Sequence, residues 1–166
     1  MPAIVSKIVP CLWFDTQAEE AATFYTGIFE NSRIKQITRY GEVGREVHGK
    51  LPGTVMVVAF EIAGMSFTAL NGGPHFKFNE AVSFQVMCDT QAEIDHFWNR
   101  LCDGGREGQC GWLKDRFGVS WQIVPSVLPK ILSGIDSAKF ERTMAAVMRM
   151  KKFDLDLLLR AQAGAG

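Results

Sequence analysis

Histidine and cysteine are the side chains best suited to metal, nucleophilic or proton-transfer chemistry near neutral pH, and this chain carries three of the first and four of the second. His48 lies in a glycine-rich stretch, "GEVGREVHGKLPG", and His75 in "NGGPHFKFNE"; His96 sits in a helical segment but off its apolar stripe. None of the three falls in a strand-like run. Cys11, Cys88, Cys102 and Cys110 show no C-x-x-C spacing and stand mostly among apolar neighbours. That reads as reduced, buried thiols of a cytoplasmic protein rather than as a disulfide frame. Nucleophilic catalysis needs a base within hydrogen-bond reach of the nucleophile. No strand-borne histidine is available to activate Cys11 or Ser83, so no catalytic residue is assigned. His48 remains a loop candidate, because a long loop can close over a site and deliver a side chain.

The elements that must position these groups are built on a repeat. The word "DTQAE" occurs at Asp15–Glu19 and again at Asp89–Glu93. Each copy contains Thr-x-x-Glu, the pattern of a helix capping box, at Thr16/Glu19 and Thr90/Glu93. Each is followed by an apolar stripe at i, i+3, i+4 and i+7: Ala21, Phe24, Tyr25, Ile28 in the first, Ile94, Phe97, Trp98, Leu101 in the second. Each is also preceded by an apolar strand, "IVPCLWF" or "AVSFQVMC", and followed by further strands. The closing strands match as well, "GMSFTAL" from Gly64 and "GVSWQIV" from Gly118. The fold class predicted is α+β, two tandem βαβββ modules over residues 1–72 and 73–125, with a helical tail over 126–166, all one compact domain. In the tail Phe140, Met144, Val147 and Met148 share a stripe, and its methionines suit core or dimer packing.

Composition bounds the partners. Eighteen basic residues balance eighteen acidic ones in 166, so neither the clustered positive charge of a nucleic-acid footprint nor that of a membrane-surface protein is present. No apolar run reaches the length of a bilayer span. The opening "MPAIVSKIVPCLWF" has neither the basic n-region nor the cleavage site of a secretory leader.

Two βαβββ modules, with "NGGPHFKFNEAVSFQV", "CGWLKDRFGVSWQIVP" and a tail reading "MRMKKFDLDLL", resemble the vicinal oxygen chelate superfamily, which includes glyoxalase I, extradiol dioxygenases and antibiotic-sequestering resistance proteins. More narrowly they resemble its PhnB-like branch, often labelled 3-demethylubiquinone-9 3-methyltransferase-like. The resemblance implies that each module curls into a half-barrel with a pocket on its concave face and helices on the other. It also implies homodimers, for which the apolar tail offers a surface. Metal ligands in catalytic members come from four strand positions, His or Gln and Glu from each module. Here those positions hold Val9, Thr68, Ser83 and Gln122, and shifting the register by one residue finds no better donor. Divalent metals want carboxylate or imidazole. No metal is therefore expected.

Strand alternation assigns a pocket lining of Val9, Cys11, Trp13, Thr68, Ser83, Gln85, Met87, Ser120 and Gln122, with Ser66, Leu70 and Val124 beside them. Phe67, Phe84, Val86, Trp121 and Ile123 then pack against the helices. The lining is apolar and aromatic with a few neutral hydrogen-bonding groups, which suits a neutral hydrophobic or aromatic small molecule. No cofactor is expected: the strand-to-helix turns, "FDTQ" and "CDTQ", lack the glycines that a doubly wound nucleoside site requires. Three readings stay open: a metal-free small-molecule-binding protein, an enzyme on an aromatic or quinone-like substrate using a displaced metal or His48, and a filled barrel with no ligand.

Overall fold

The computed structural model describes residues 7–133 and 136–164. Residues 1–6, where the stretch read for a leader begins, residues 134–135, and the last two positions of the sequence lie outside them. The chain divides into two compact units, Met1–Phe78 and Asn79–Gly166.

The first unit runs β1 (Cys11–Phe14), α1 (Ala18–Thr26), β2 (Arg33–Arg39), a four-residue α2 (Arg45–His48), β3 (Val55–Ile62) and β4 (Met65–Asn71). Its sheet has the order β1-β4-β3-β2, with β1 parallel to β4 and the other pairs antiparallel. Period-two alternation drives the layering. Leu12 and Phe14 of β1, Val58, Phe60 and Ile62 of β3, and Phe67 and Ala69 of β4 are all buried. They pack beneath α1, whose Ala18, Ala21, Ala22 and Tyr25 are fully buried. The three alanines let the helix lie close, and Tyr25 stacks on Phe60 with ring centroids 6.3 Å apart. Each large side chain so buried contributes about 1.5–3 kcal/mol. The β3–β4 turn is two residues, Ala63 (φ 48°) and Gly64 (φ 81°). Both are left-handed, as a type I′ turn requires.

The second unit repeats the plan: β5 (Ser83–Cys88), α3 (Gln91–Cys102), β6 (Arg106–Glu107), β7 (Trp112–Lys114) and β8 (Ser120–Pro125), in the order β5-β8-β7-β6 with β5 parallel to β8. Ile94, Trp98 and Leu101 of α3 are buried, as are Leu113, Trp121 and Ile123 of the sheet beneath it. The β7–β8 connection is longer and is held by a side chain. Asp115, buried, accepts from the Phe117 and Val119 amides at 2.9 and 3.0 Å through Oδ1, and from the Trp121 indole at 2.8 Å through Oδ2. The motif "KDRFGVSW" is thus a structural device, and Trp121 is core as the alternation predicts.

Beyond β8 come α4 (Leu128–Leu132), α5 (Ser137–Val147) and α6 (Leu155–Ala163), the last two packed together. The segment between them docks on the second sheet. The Cys110 and Gly111 amides donate to Met150 and Lys151 carbonyls at 2.8 and 2.7 Å. Gly111 has φ +81°, and a Cβ there would stand 2.6 Å from both the Ile123 carbonyl and the Phe153 ring, so the approach requires glycine. The tail stripe differs from expectation. Thr143 and Val147 are the buried pair of α5, while Phe140 and Met148 are 40% and 64% exposed. Among the described residues no helix is long and apolar enough to cross a membrane.

The two copies of "DTQAE" diverge at their caps. In the second copy Thr90 and Glu93 form the capping box: Thr90 accepts from the Glu93 amide at 3.2 Å, and the Glu93 carboxylate accepts from the Thr90 amide at 3.1 Å. In the first copy the box expected at Thr16/Glu19 does not form. The helix opens one residue later, at cap residue Gln17, which makes no side-chain cap bond. Asn71, buried at the end of β4, accepts instead from the Ala18 amide at 2.8 Å. The parallel pairing sets Phe14 beside Asn71, but in the second unit sets Cys88 beside Pro125, which has no side-chain acceptor to offer.

Candidate functional site

The face of each sheet turned away from its helix carries the predicted site residues. In the first unit Cys11 pairs with Thr68 and Trp13 with Leu70 across β1 and β4, so these side chains share that face, opposite Leu12 and Phe14. Cys11 is exposed; Trp13 and Thr68 are half-buried. The Trp13 indole donates to the Gly73 carbonyl at 2.8 Å and meets the Phe76 ring edge-on at 4.9 Å. A Cβ at Gly72 would lie 2.1 Å from the indole, so "NGGPHF" is shaped around Trp13. Val9 precedes β1 and is 39% exposed. His48 ends the short α2 rather than hanging in a loop. Its Nδ1 accepts from the Lys50 amide at 3.0 Å, leaving Nε2–H to donate to the Val43 carbonyl at 3.3 Å, and its ring lies on Tyr40 with centroids 4.5 Å apart. Both nitrogens are engaged locally. A cleft of about 390 Å³ opens beside the first "DTQAE" word, between Asp15, Thr16, Glu19, Lys50 and Val55.

In the second unit Ser83 pairs with Ser120, Gln85 with Gln122, and Met87 with Val124. All five predicted members, Ser83, Gln85, Met87, Ser120 and Gln122, therefore share one face. They form a ladder across β5 and β8: Gln122 Nε2 donates to Ser83 Oγ at 2.8 Å, and Gln85 Nε2 donates to Gln122 Oε1 at 3.3 Å. Met87 stands beside them, 48% exposed.

Register extends this face to residues that sequence reasoning missed. Lys114 is opposite Ser120, and Arg106 opposite Lys114, giving a row Ser83–Ser120–Lys114–Arg106. The next row is Gln85–Gln122–Trp112. The signal was the alternation in "GWLKD", where Trp112 and Lys114 flank the inward Leu113. Strands of two and three residues are too short to announce their register. Glu80, just before β5, accepts from Lys114 at 2.5 Å and lies 3.6 Å from Arg106. The Lys114 hydrogen bond lowers the Glu80 carboxyl pKa, with Lys114 and Arg106 charge adding.

The four positions that would hold a metal in the superfamily carry an apolar side chain, two hydroxyls and an amide. Ser83 Oγ moreover accepts from Gln122, whose own oxygen accepts from Gln85. Among the described residues no three His, Cys, Asp or Glu side chains cluster as metal ligands. The donor set does not fit a divalent metal. Thiol chemistry finds little support in Cys88 and the half-buried Cys102: burial, with Glu93 and Asp89 adding, raises Cys88 to about 12, and burial with Glu107 raises Cys102.

Comparison with known proteins agrees with this architecture. Residues 6–124 match the family model described as 3-demethylubiquinone-9 3-methyltransferase. Among solved structures, the chain is similar to a Bacillus cereus PhnB protein that carries the same methyltransferase description, at 35% identity and TM-score 0.64, over 72% of this chain and 99% of that one. A Pseudomonas aeruginosa protein matches at 21% identity and TM-score 0.60, over 73% and 98%. The fosfomycin resistance protein FosX of Listeria monocytogenes matches at 15% and 0.50, over 80% and 99%, a likeness of fold. No curated protein matches the chain.

Proposed function

Since this chain belongs to the 3-demethylubiquinone-9 3-methyltransferase family, a PhnB-like branch of the vicinal oxygen chelate superfamily, we propose that it binds a small hydrophobic or aromatic molecule without a metal. The observation that carries this reading is the Ser83–Gln122–Gln85 ladder, a set of neutral donors and acceptors flanked by Met87 and Trp112 on a sheet face. Such a face orients a ring through two or three hydrogen bonds while apolar contact supplies the affinity. The family's description names a demethylubiquinone, a ring of that class. It also names methyl transfer, and a nucleoside cofactor site of the doubly wound kind would need a glycine-rich turn between a strand and a helix. The turns after β1 and β5 carry a helix start with no glycine, and neither sheet is doubly wound, so these residues do not fit such a site.

An alternative reading, an enzyme acting on a quinone-like substrate, draws on the family description alone. Titration of the labelled protein with a short-chain benzoquinone, followed by backbone NMR, tests the first. Shifts centred on Ser83, Gln85 and Gln122, unchanged by EDTA, are expected. Shifts that vanish with EDTA and return with a divalent metal would favour the enzyme.

The exposed Phe140, Met148, Leu157 and Leu159 of the tail support a homodimer through α5 and α6. Light scattering on a size-exclusion peak should give twice the chain mass, and a Phe140→Asp, Met148→Asp variant should give the monomer.

A further inference from the structure

Ser120 is 1% exposed, and its hydroxyl is the buried side-chain oxygen left without a hydrogen-bond partner among the described residues. Buried hydroxyls without partners are rare and invite an explanation. This one lines a cavity of about 90 Å³ whose other walls include Arg106, Trp112, Lys114 and Glu80. The space admits a carboxylate group but is smaller than the roughly 150 Å³ cavity that encloses a benzene ring.

The charges around it are arranged for an anion. Lys114, its side chain 17% exposed, and Arg106 both face the single Oε1 of Glu80, at 2.5 and 3.6 Å. Two cations thus share one carboxylate. Glu107, the other acid on the rim, is bonded to the Trp98 indole and to Lys151, each at 3.3 Å. Glu80 itself sits on the chain entering β5 and is 59% exposed, so it can swing away without disturbing the sheet.

We propose that Arg106, Lys114 and Ser120 form a subsite for the carboxylate of an aromatic or apolar acid, and that Glu80 occupies this place when no ligand is bound. The inference rests on the small-molecule reading above and sharpens it: the molecule lies on Trp112 and the Gln122 ladder, with its anionic end at Lys114 and Ser120. The Ser120 hydroxyl donates to the incoming oxygen, and the charge-assisted contacts from Lys114 and Arg106 replace those to Glu80.

Benzoate and its neutral isostere benzamide, titrated into the full chain at low salt and followed by NMR, separate the two ideas. Benzoate is expected to bind about tenfold or more tightly than benzamide, moving the Lys114 and Ser120 amides. Glu80→Gln removes the competing carboxylate and should tighten benzoate severalfold while leaving benzamide unchanged. Lys114→Met should abolish the preference. Ser120→Ala should weaken benzoate yet leave the melting temperature unchanged or raised, since it deletes an unsatisfied buried group; a hydroxyl with only a structural role would not give that split. Equal binding of the two probes overturns the carboxylate subsite and leaves the small-molecule reading standing. Binding of neither, at concentrations that saturate the quinone site, also overturns the subsite. Failure of the quinone together with both probes counts against both proposals.

Discussion

The two halves of this protein start from the same five residues and use them differently. At Asp89–Glu93 every polar member is employed. Asp89 accepts from Ser126, Thr90 and Glu93 close the capping box, and Gln91 binds the tail, donating to the Phe153 carbonyl at 3.1 Å and accepting from the Leu155 amide at 2.8 Å. At Asp15–Glu19 the helix is capped by Asn71 from a distant strand, and Asp15, Thr16 and Glu19 face a cleft. The turns that close the two sheets differ as well: two left-handed residues, Ala63 and Gly64, in the first unit, and the buried Asp115 clamp in the second. A duplicated local signal therefore survives only where its neighbours leave it the work. Where β4 ends in asparagine the box is redundant; where β8 ends in proline it is needed.

The second unit's closing turn is most sensitive at Asp115. Alanine there orphans two backbone amides and the Trp121 indole together, and should cost about 3 kcal/mol or more by urea denaturation. A loss below about 1 kcal/mol would mean the hairpin holds itself, as the first unit's does. Asn71→Ala comes next. It removes the cap of α1 and the Nδ2 bond to the Val55 carbonyl at 3.1 Å, and about 2 kcal/mol should be lost. The sharpest contrast is smaller: Thr90→Ala should cost about 1 kcal/mol, but Thr16→Ala less than about 0.5. Equal losses at the two threonines would show that the first box forms in solution after all.

The smallest expected effect under ordinary conditions concerns Cys88, which ends β5 as the buried counterpart of Phe14. Its thiol is raised from 9.0 to about 12, so the folded chain holds this proton more tightly than the unfolded one does. Stability from this group is present below pH 9 and is lost progressively as pH rises toward 12. Urea midpoints measured at pH 7 and pH 10 should fall further for the parent than for Cys88→Ala. An equal fall in both would place the pH dependence elsewhere.

Features carried by contiguous residues are legible before any folding is known. Period-two runs separated the faces of β4, β5 and β8, so Ser83, Gln85 and Gln122 could be assigned together and Trp121 placed in the core. Helical stripes located α1 and α3, and the repeated word aligned the units well enough to find that Val9, Thr68, Ser83 and Gln122 hold no metal-binding carboxylate or imidazole. Competition between caps and strand register emerge only when distant segments meet. Thr16 lost its cap to Asn71, 53 positions from Ala18, because a parallel strand pair brings that amide to the helix start. Lys114 and Arg106 joined the Ser120 row through β6 and β7, too brief for any pattern to fix their pairing. Phe140 and Met148 stayed outside because α5 packs against α6, and Thr143 and Val147 are its buried side. A propensity acts on neighbours in the chain, whereas which donor meets which acceptor is settled only when distant strands meet.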